Sequence, residues 1–289
     1  MGRSNMCNIH TAKKTERTQE EITISGNPAK PQGEDGATML KRMNESHSPV
    51  TCWALEHWQI APEEELLDIG CGGGATLKRM GEKITTGHLT GVDYSPVSVK
   101  TSLKTNRQDV ESGKMKVLEG SVEALPFADD GFDKIITVES FYFWPDPQEN
   151  LKEVRRVLKA GGKLLNFDAN WYGYLYEEEQ RKAYENDRKN VENNSLDDHY
   201  LCTDIERMER IALQVPLSKI NRPQWDVKTL REAGLLGIHT DTEIWKTVWS
   251  EEERLNYQST PMFMVTGVKP DHFLNLPVAA GEKTEGFLE

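Results

Sequence analysis

Apolar and polar positions switch between two periods along the middle of this chain. Short apolar stretches recur at Leu66–Ile69, His88–Asp93, Met115–Glu119, Lys134–Val138 and Lys163–Asp168, each bounded by glycine, aspartate or proline. Stretches of that length and with those ends predict buried strands. Between them the apolar residues fall three and four apart. Leu77 and Met80 do so after the first strand, and the segment 97–109 after the second. Leu151, Val154, Val157 and Leu158 do so after the fourth. Strands alternating with amphipathic helices predict an α/β fold, with a mostly parallel sheet and helices on both faces.

The flanks carry different patterns. Residues 1–36 are polar and broken by Gly26, Pro28, Pro31, Gly33 and Gly36, which predicts a flexible tail. From 37 to 60, Met39, Leu40 and Met43, then Val50, Trp53, Ala54, Leu55 and Trp58, predict two helices divided at Ser46-His47-Ser48-Pro49. These form a lid directly ahead of the core, 61–168. Beyond it, 169–222 opens with the aromatic loop Trp171-Tyr172-Gly173-Tyr174 and continues with helical patterns over 177–193 and 204–215, the makings of a helical cap. A helix over 223–233 follows, with Asp226 as its candidate N-cap. Strands over 238–245 and 262–268 complete seven, one of them antiparallel, and 269–289 is a tail without signal.

Composition narrows the function. A net charge of −12 over 289 residues, with no basic cluster interleaved with aromatics, argues against a nucleic-acid partner. Cys7, Cys52, Cys71 and Cys202 lack metal-site or disulfide spacing. No apolar run approaches the ~20 residues of a membrane span, so no stable membrane insertion is expected. The chain has no signal-peptide core, and a cytoplasmic protein is expected.

The chemistry gathers at Asp68-Ile69-Gly70-Cys71-Gly72-Gly73-Gly74, where a strand ends in glycines and a helix begins. Such a turn presents helix N-terminal amides to a ligand. Gly70-x-Gly72-x-x-Ala75 satisfies a loose dinucleotide fingerprint. Asp68 tips the balance, since a carboxylate beside the turn repels a pyrophosphate and attracts a cation. This Asp-x-Gly-x-Gly-x-Gly form resembles motif I of the class I S-adenosylmethionine (SAM)-dependent methyltransferases, which carry a Rossmann-like sheet. SAM has no phosphate and bears a sulfonium and an ammonium. Asp93, at the second strand end, offers two acceptor oxygens to a ribose diol, or else caps the next helix. Tyr94 beside it is expected to flank the adenosine.

Gly120-Ser121-Val122-Glu123-Ala124-Leu125-Pro126-Phe127 and Val154-Arg155-Arg156-Val157-Leu158-Lys159-Ala160-Gly161-Gly162 extend the likeness. They resemble the methyltransferases of ubiquinone and menaquinone biosynthesis, which carry a type 11 methyltransferase domain. The resemblance covers roughly 65–168. It implies that Asp68, Gly70, Cys71, Gly72, Asp93, Tyr94, Ser121, Val122 and Glu139 hold SAM. Ser121 stands where that family has an aspartate bonding the adenine amino group, Val122 packs on the adenine, and Glu139 meets the methionine part. Asp68, Asp93, Ser121 and Glu139 end successive strands and so converge on one crevice.

For the methyl acceptor the expected wall is Tyr142, Trp171 and Tyr172, with His47 in the lid as base or orienter. A base is required only where the acceptor must lose a proton. No metal is implied. The reading is methyl transfer from SAM to a small aromatic or heterocyclic molecule. A quinone-precursor C-methyltransferase and a non-catalytic SAM-binding sensor are the alternatives.

Overall fold

A computed structural model describes residue 17 and residues 19–170, 215–248 and 262–271. In chain order these hold α1 (Gln19–Gly26), α2 (Gly33–Ser46), α3 (Ser48–His57), β1 (Glu65–Ile69), α4 (Ala75–Gly81), β2 (His88–Asp93), α5 (Pro96–Thr105), α6 (Arg107–Glu111) and β3 (Met115–Glu119). Then come β4 (Phe132–Val138), α7 (Pro147–Val157), β5 (Leu158–Ala169), α8 (Gln224–Glu232), β6 (Leu236–Asp241), α9 (Ile244–Val248) and β7 (Met262–Val268). The strands form one seven-stranded sheet in the order β3-β2-β1-β4-β5-β7-β6. β1 to β5 are parallel, and β7 runs antiparallel to both β5 and β6.

Both faces are covered because successive strand side chains point opposite ways. Leu67, Ile69 and Ile135 pack on one side with Leu151, Val154 and Val157 of α7 and Leu230 of α8. Leu66, Ile136 and Leu165 pack on the other with Leu55 and Trp58 of the α3 end and Leu77 and Met80 of α4. Helix starts follow local chemistry. The Ser95 hydroxyl accepts the Ser98 amide with Pro96 in the first turn, and the Asp146 carboxylate accepts the Glu149 amide with Pro147 next to it.

Several expectations are corrected. The tail expected over 1–36 contains α1 and the start of α2, which pack together. A Cβ on Gly26 would meet the Asp35 carbonyl oxygen at 3.0 Å, and one on Gly36 the Pro31 carbonyl carbon at 3.0 Å. These glycines permit close approach, where the sequence reading took them as breakers. The helix expected over 97–109 is divided at Asn106, whose side-chain amide donates to the carbonyls of Gly74 and Ser102. β5 begins at Leu158, with an irregularity in its pairing to β4 between Phe132 and Lys134. The strand expected over 238–245 spans 236–241, and Ile244–Val248 is helical.

Asp226 is not a cap. It is fully buried and pairs with Arg222, as does Asp168 at the end of β5. The Arg222 guanidinium lies over the rings of Phe141 and Phe263, with 5.2 and 4.8 Å to their centroids. Trp171, Tyr172 and the expected cap helices lie outside the described residues.

Candidate active site

The glycine turn is built by backbone geometry that side chains would forbid. Gly70, Gly72 and Gly74 have φ of 75°, 50° and 80°, in the left-handed region that glycine adopts without penalty. The amides of Gly70 and Cys71 both donate to the Val92 carbonyl, at 2.8 and 3.1 Å. The turn is therefore tied to the end of β2, bringing Asp68 and Asp93 to one place. Both line a cavity of about 220 Å³ at the carboxyl ends of the strands.

Asp93 serves more than one partner. Its two carboxylate oxygens accept the amides of Gly72 and Ser95, each at 2.9 Å. The cap of α5 is Ser95 itself, so the capping alternative for Asp93 is not realised. Burial raises its carboxyl above the ordinary range. Asp68 is 1% exposed, and its Oδ2 has no hydrogen-bond partner among the described residues. Burial, and then the Asp93 charge, push it up to about 8. An unsatisfied buried acid of that kind is costly unless something with positive charge comes to it.

Glu139 stands at the end of β4 with φ of 51°, uncommon for a residue with a side chain. Its Oε2 accepts the Tyr142 hydroxyl at 2.9 Å, while Oε1 has no partner among the described residues. Burial, followed by the Asp168 charge, raises it to about 8. Ser121 and Val122 also line the cavity, but the Ser121 hydroxyl donates to the Glu123 carboxylate at 2.9 Å. Cys71 is a buried wall residue whose thiol is pushed upward by burial.

The acceptor-side expectations divide. His47 joins α2 to α3 and lines the cavity. Burial, then the charges of Arg42 and Arg79, lower its imidazole to about 4, so it stays neutral near pH 7. Tyr142 is 4% exposed and is not among the residues lining this cavity; its hydroxyl is the one bonded to Glu139. The short 3₁₀ turn Phe141–Phe143 points Tyr142 inward and leaves Phe143 and Trp144 on the wall.

Sequence reasoning missed part of the wall altogether. Pro28, Ala29 and Pro31 line the cavity from the N-terminal side, and Arg79 and Asn44 also face it. The Tyr94 hydroxyl donates to the Ala29 carbonyl, and the Ser95 hydroxyl to that of Pro31 at 2.5 Å. The two prolines were the one available signal, since proline fixes an extended backbone as readily as it ends a helix. Among the described residues no cluster of His, Cys, Asp and Glu suits a metal ion.

Comparison with known proteins agrees with this geometry. Residues 67–166 match the family model described as methyltransferase domain. A 2-methyl-6-phytyl-1,4-hydroquinone methyltransferase of Oryza sativa is 35% identical over 98 residues, which is 34% of this chain and 28% of that protein. The matched stretch spans between 28% and 59% of the first curated relatives. Among solved structures, the methyltransferase bound to the Haloferax volcanii Trm112 methyltransferase activator aligns over 80% of this chain and 93% of its own. That pair has a TM-score of 0.57 and 22% identity. A SAM-dependent methyltransferase from Aquifex aeolicus aligns over 87% and 98%, with a TM-score of 0.52 and 15% identity. Residues 67–166 thus belong to the methyltransferase-domain family, and the sheet that carries them has the fold of the class I SAM-dependent methyltransferases.

Proposed function

We propose that this chain binds SAM in the strand-end cavity and catalyses transfer of its methyl group to a small aromatic or heterocyclic acceptor. The observation that carries the reading is the pair of buried acids lining the cavity with the glycine cradle, Asp68 and Glu139, each with one carboxylate oxygen that has no hydrogen-bond partner among the described residues. SAM brings two positive charges and no phosphate, which suits those acids. Asp93 suits its ribose, through the acceptor lone pairs left after the Gly72 and Ser95 amides are bound. Tyr94 and Val122 supply apolar surface for the adenine. When bound, SAM supplies a methyl group on a cationic sulfur.

What the chain's own residues contribute is orientation and exclusion of water. His47, neutral at the rim between α2 and α3, is proposed as an orienter that donates or accepts one hydrogen bond. An imidazole held near 4 is too weakly basic to take a proton efficiently at pH 7. Phe143 and Trp144 form the apolar wall against which a flat acceptor would lie. Trp171 and Tyr172 remain proposed wall residues.

A quinone-precursor ring is the second reading, favoured by the relative named for a hydroquinone. A non-catalytic SAM sensor is the third. The acidic balance of the chain supports a reaction without a nucleic-acid partner. Among the described residues no helix is long and apolar enough to cross a membrane. The test is calorimetry with SAM and S-adenosylhomocysteine (SAH), followed by incubation of a cell extract with methyl-labelled SAM. Binding plus a labelled small molecule supports the reading. Binding of NAD in preference to SAM, or of neither, defeats it, and tight SAM binding without any labelled product favours the sensor.

A further inference from the structure

We propose that residues 27–32, which precede the matched domain, form a removable wall of the cofactor site, latched by Tyr94 and Ser95. SAM is therefore enclosed by a strap that must lift for exchange. The inference rests on the reading that the cavity takes SAM, and deepens it by naming what controls entry.

Four observations meet here. First, Pro28, Ala29 and Pro31 line the cavity on the same side as Asp93 and Tyr94, so the strap roofs the proposed adenosine half. Second, the strap is held to the domain by the Tyr94 hydroxyl on the Ala29 carbonyl and the Ser95 hydroxyl on the Pro31 carbonyl. The Lys30 ammonium also lies 5.1 Å from the Tyr94 ring centroid. The ribose-side acid and both latches are thus three consecutive residues, 93–95.

Third, the strap is shaped before it docks. Asn27, with φ of 56°, ends α1, and its side-chain oxygen accepts the Lys30 amide at 3.2 Å. The Gln32 amide returns to the Gly26 carbonyl at 3.0 Å, closing the loop. Pro28 and Pro31 have fixed φ, so little conformational freedom is lost on closing. Fourth, its base is anchored. Arg17 donates to Asp35 at 2.9 Å and Arg42 to Thr23 at 2.5 Å, while Asn44 of α2 sits against Gly73 of the cradle. A rigid segment with a firm base and a two-bond latch is a hinged cover.

The test uses the full chain and needs no methyl acceptor. The exchange rate of bound SAH is measured for the wild type, Tyr94→Phe, the pair Pro28→Gly with Pro31→Gly, and all three together. Hydrogen exchange of residues 19–36 is followed with and without SAH. Loss of one latch bond should speed exchange roughly three- to tenfold. Loosening the strap should do the same, and the combined variant should exchange faster than either, because both changes favour opening of one element. SAH should slow hydrogen exchange across 19–36.

Wild-type exchange rates in these variants would overturn the strap. Hydrogen exchange across 19–36 that SAH leaves unchanged would overturn it too. A wild type that binds neither SAH nor SAM would instead overturn the cofactor reading itself.

Discussion

The Ser140 hydroxyl occupies the space that a side chain on Gly70 would need. A Cβ built on Gly70 would lie 2.4 Å from the Ser140 Oγ and 2.5 Å from its Cβ. Ser140 cannot readily turn away, because its hydroxyl donates to the Ile69 carbonyl at 2.9 Å and lies 2.6 Å from that of Thr137. The ends of β1 and β4 are therefore packed through a missing side chain.

Gly70→Ala combines that collision with a φ of 75°, which alanine adopts at a cost. It should lower stability by about 1–3 kcal/mol and abolish measurable SAM binding, because the cradle must shift to accept the methyl group. Urea unfolding and calorimetry on the same preparation would check both. Undiminished SAM affinity would mean that the turn is not where the ligand lies.

Asp93→Asn probes binding and scaffolding together. The amide keeps one oxygen to accept a backbone N–H but replaces the other acceptor with a donor. Cofactor affinity should fall by roughly tenfold to a hundredfold, the loss of one or two hydrogen bonds to a charged group. Stability should also fall, by about 1–3 kcal/mol, because either the Gly72 or the Ser95 amide would then face a donor in place of its acceptor. If melting dropped while SAM affinity held, Asp93 would be a structural residue and the ribose assignment would fail.

The contrast between these positions and the strap shows what the chain discloses before folding. The alternation of strands and helices and the strand-end convergence of Asp68, Asp93, Ser121 and Glu139 were legible because short apolar runs and glycines report local backbone needs directly. Which of the three aromatics 141–143 lines the strand-end cavity was not legible, because one 3₁₀ turn decides it and no periodicity encodes that choice. Residues 27–32 were taken as tail because proline and glycine disrupt regular patterns wherever they stand. Their docking depends on contacts to residues 94 and 95, far off in sequence. Asp226 was read locally as a cap, whereas its partner Arg222 and the shared Asp168 could be joined only through the tertiary fold.

Arg222 should be among the least replaceable residues outside the cradle. Its guanidinium bonds Asp168 at 2.7 Å and Asp226 at 2.8 Å, and all three side chains are buried. Arg222→Met would leave two carboxylates without their cation and should cost about 3–5 kcal/mol. Arg222→Lys keeps the charge but cannot span both acids as the planar fork does. Chemical denaturation of both variants would check the order, with Met the more damaging.

The last expectation concerns pH. Asp68 and Glu139 have carboxyls raised to about 8 in the fold. Between their unfolded values near 4 and about 8 the folded protein binds more protons than the unfolded chain, so their contribution to stability declines as pH rises. His47, lowered to about 4, works in the opposite sense, but only up to its unfolded value near 6.5. Above about 6.5 only raised acids remain, Asp168 up to about 7 and Asp68 and Glu139 up to about 8, all acting in the same sense, and the free protein should melt at lower temperature as pH climbs through that window. A cationic ligand reverses the trend, because it favours the ionised carboxylates and expels their protons. SAM, with its sulfonium, should gain affinity over the window with a logarithmic slope approaching one per proton released. SAH has a neutral sulfur and should gain less. Melting curves with each ligand across that range decide the matter. A SAM-to-SAH affinity ratio that stays flat with pH would mean that neither acid faces the sulfur, and the charge argument for this cavity would have to be abandoned.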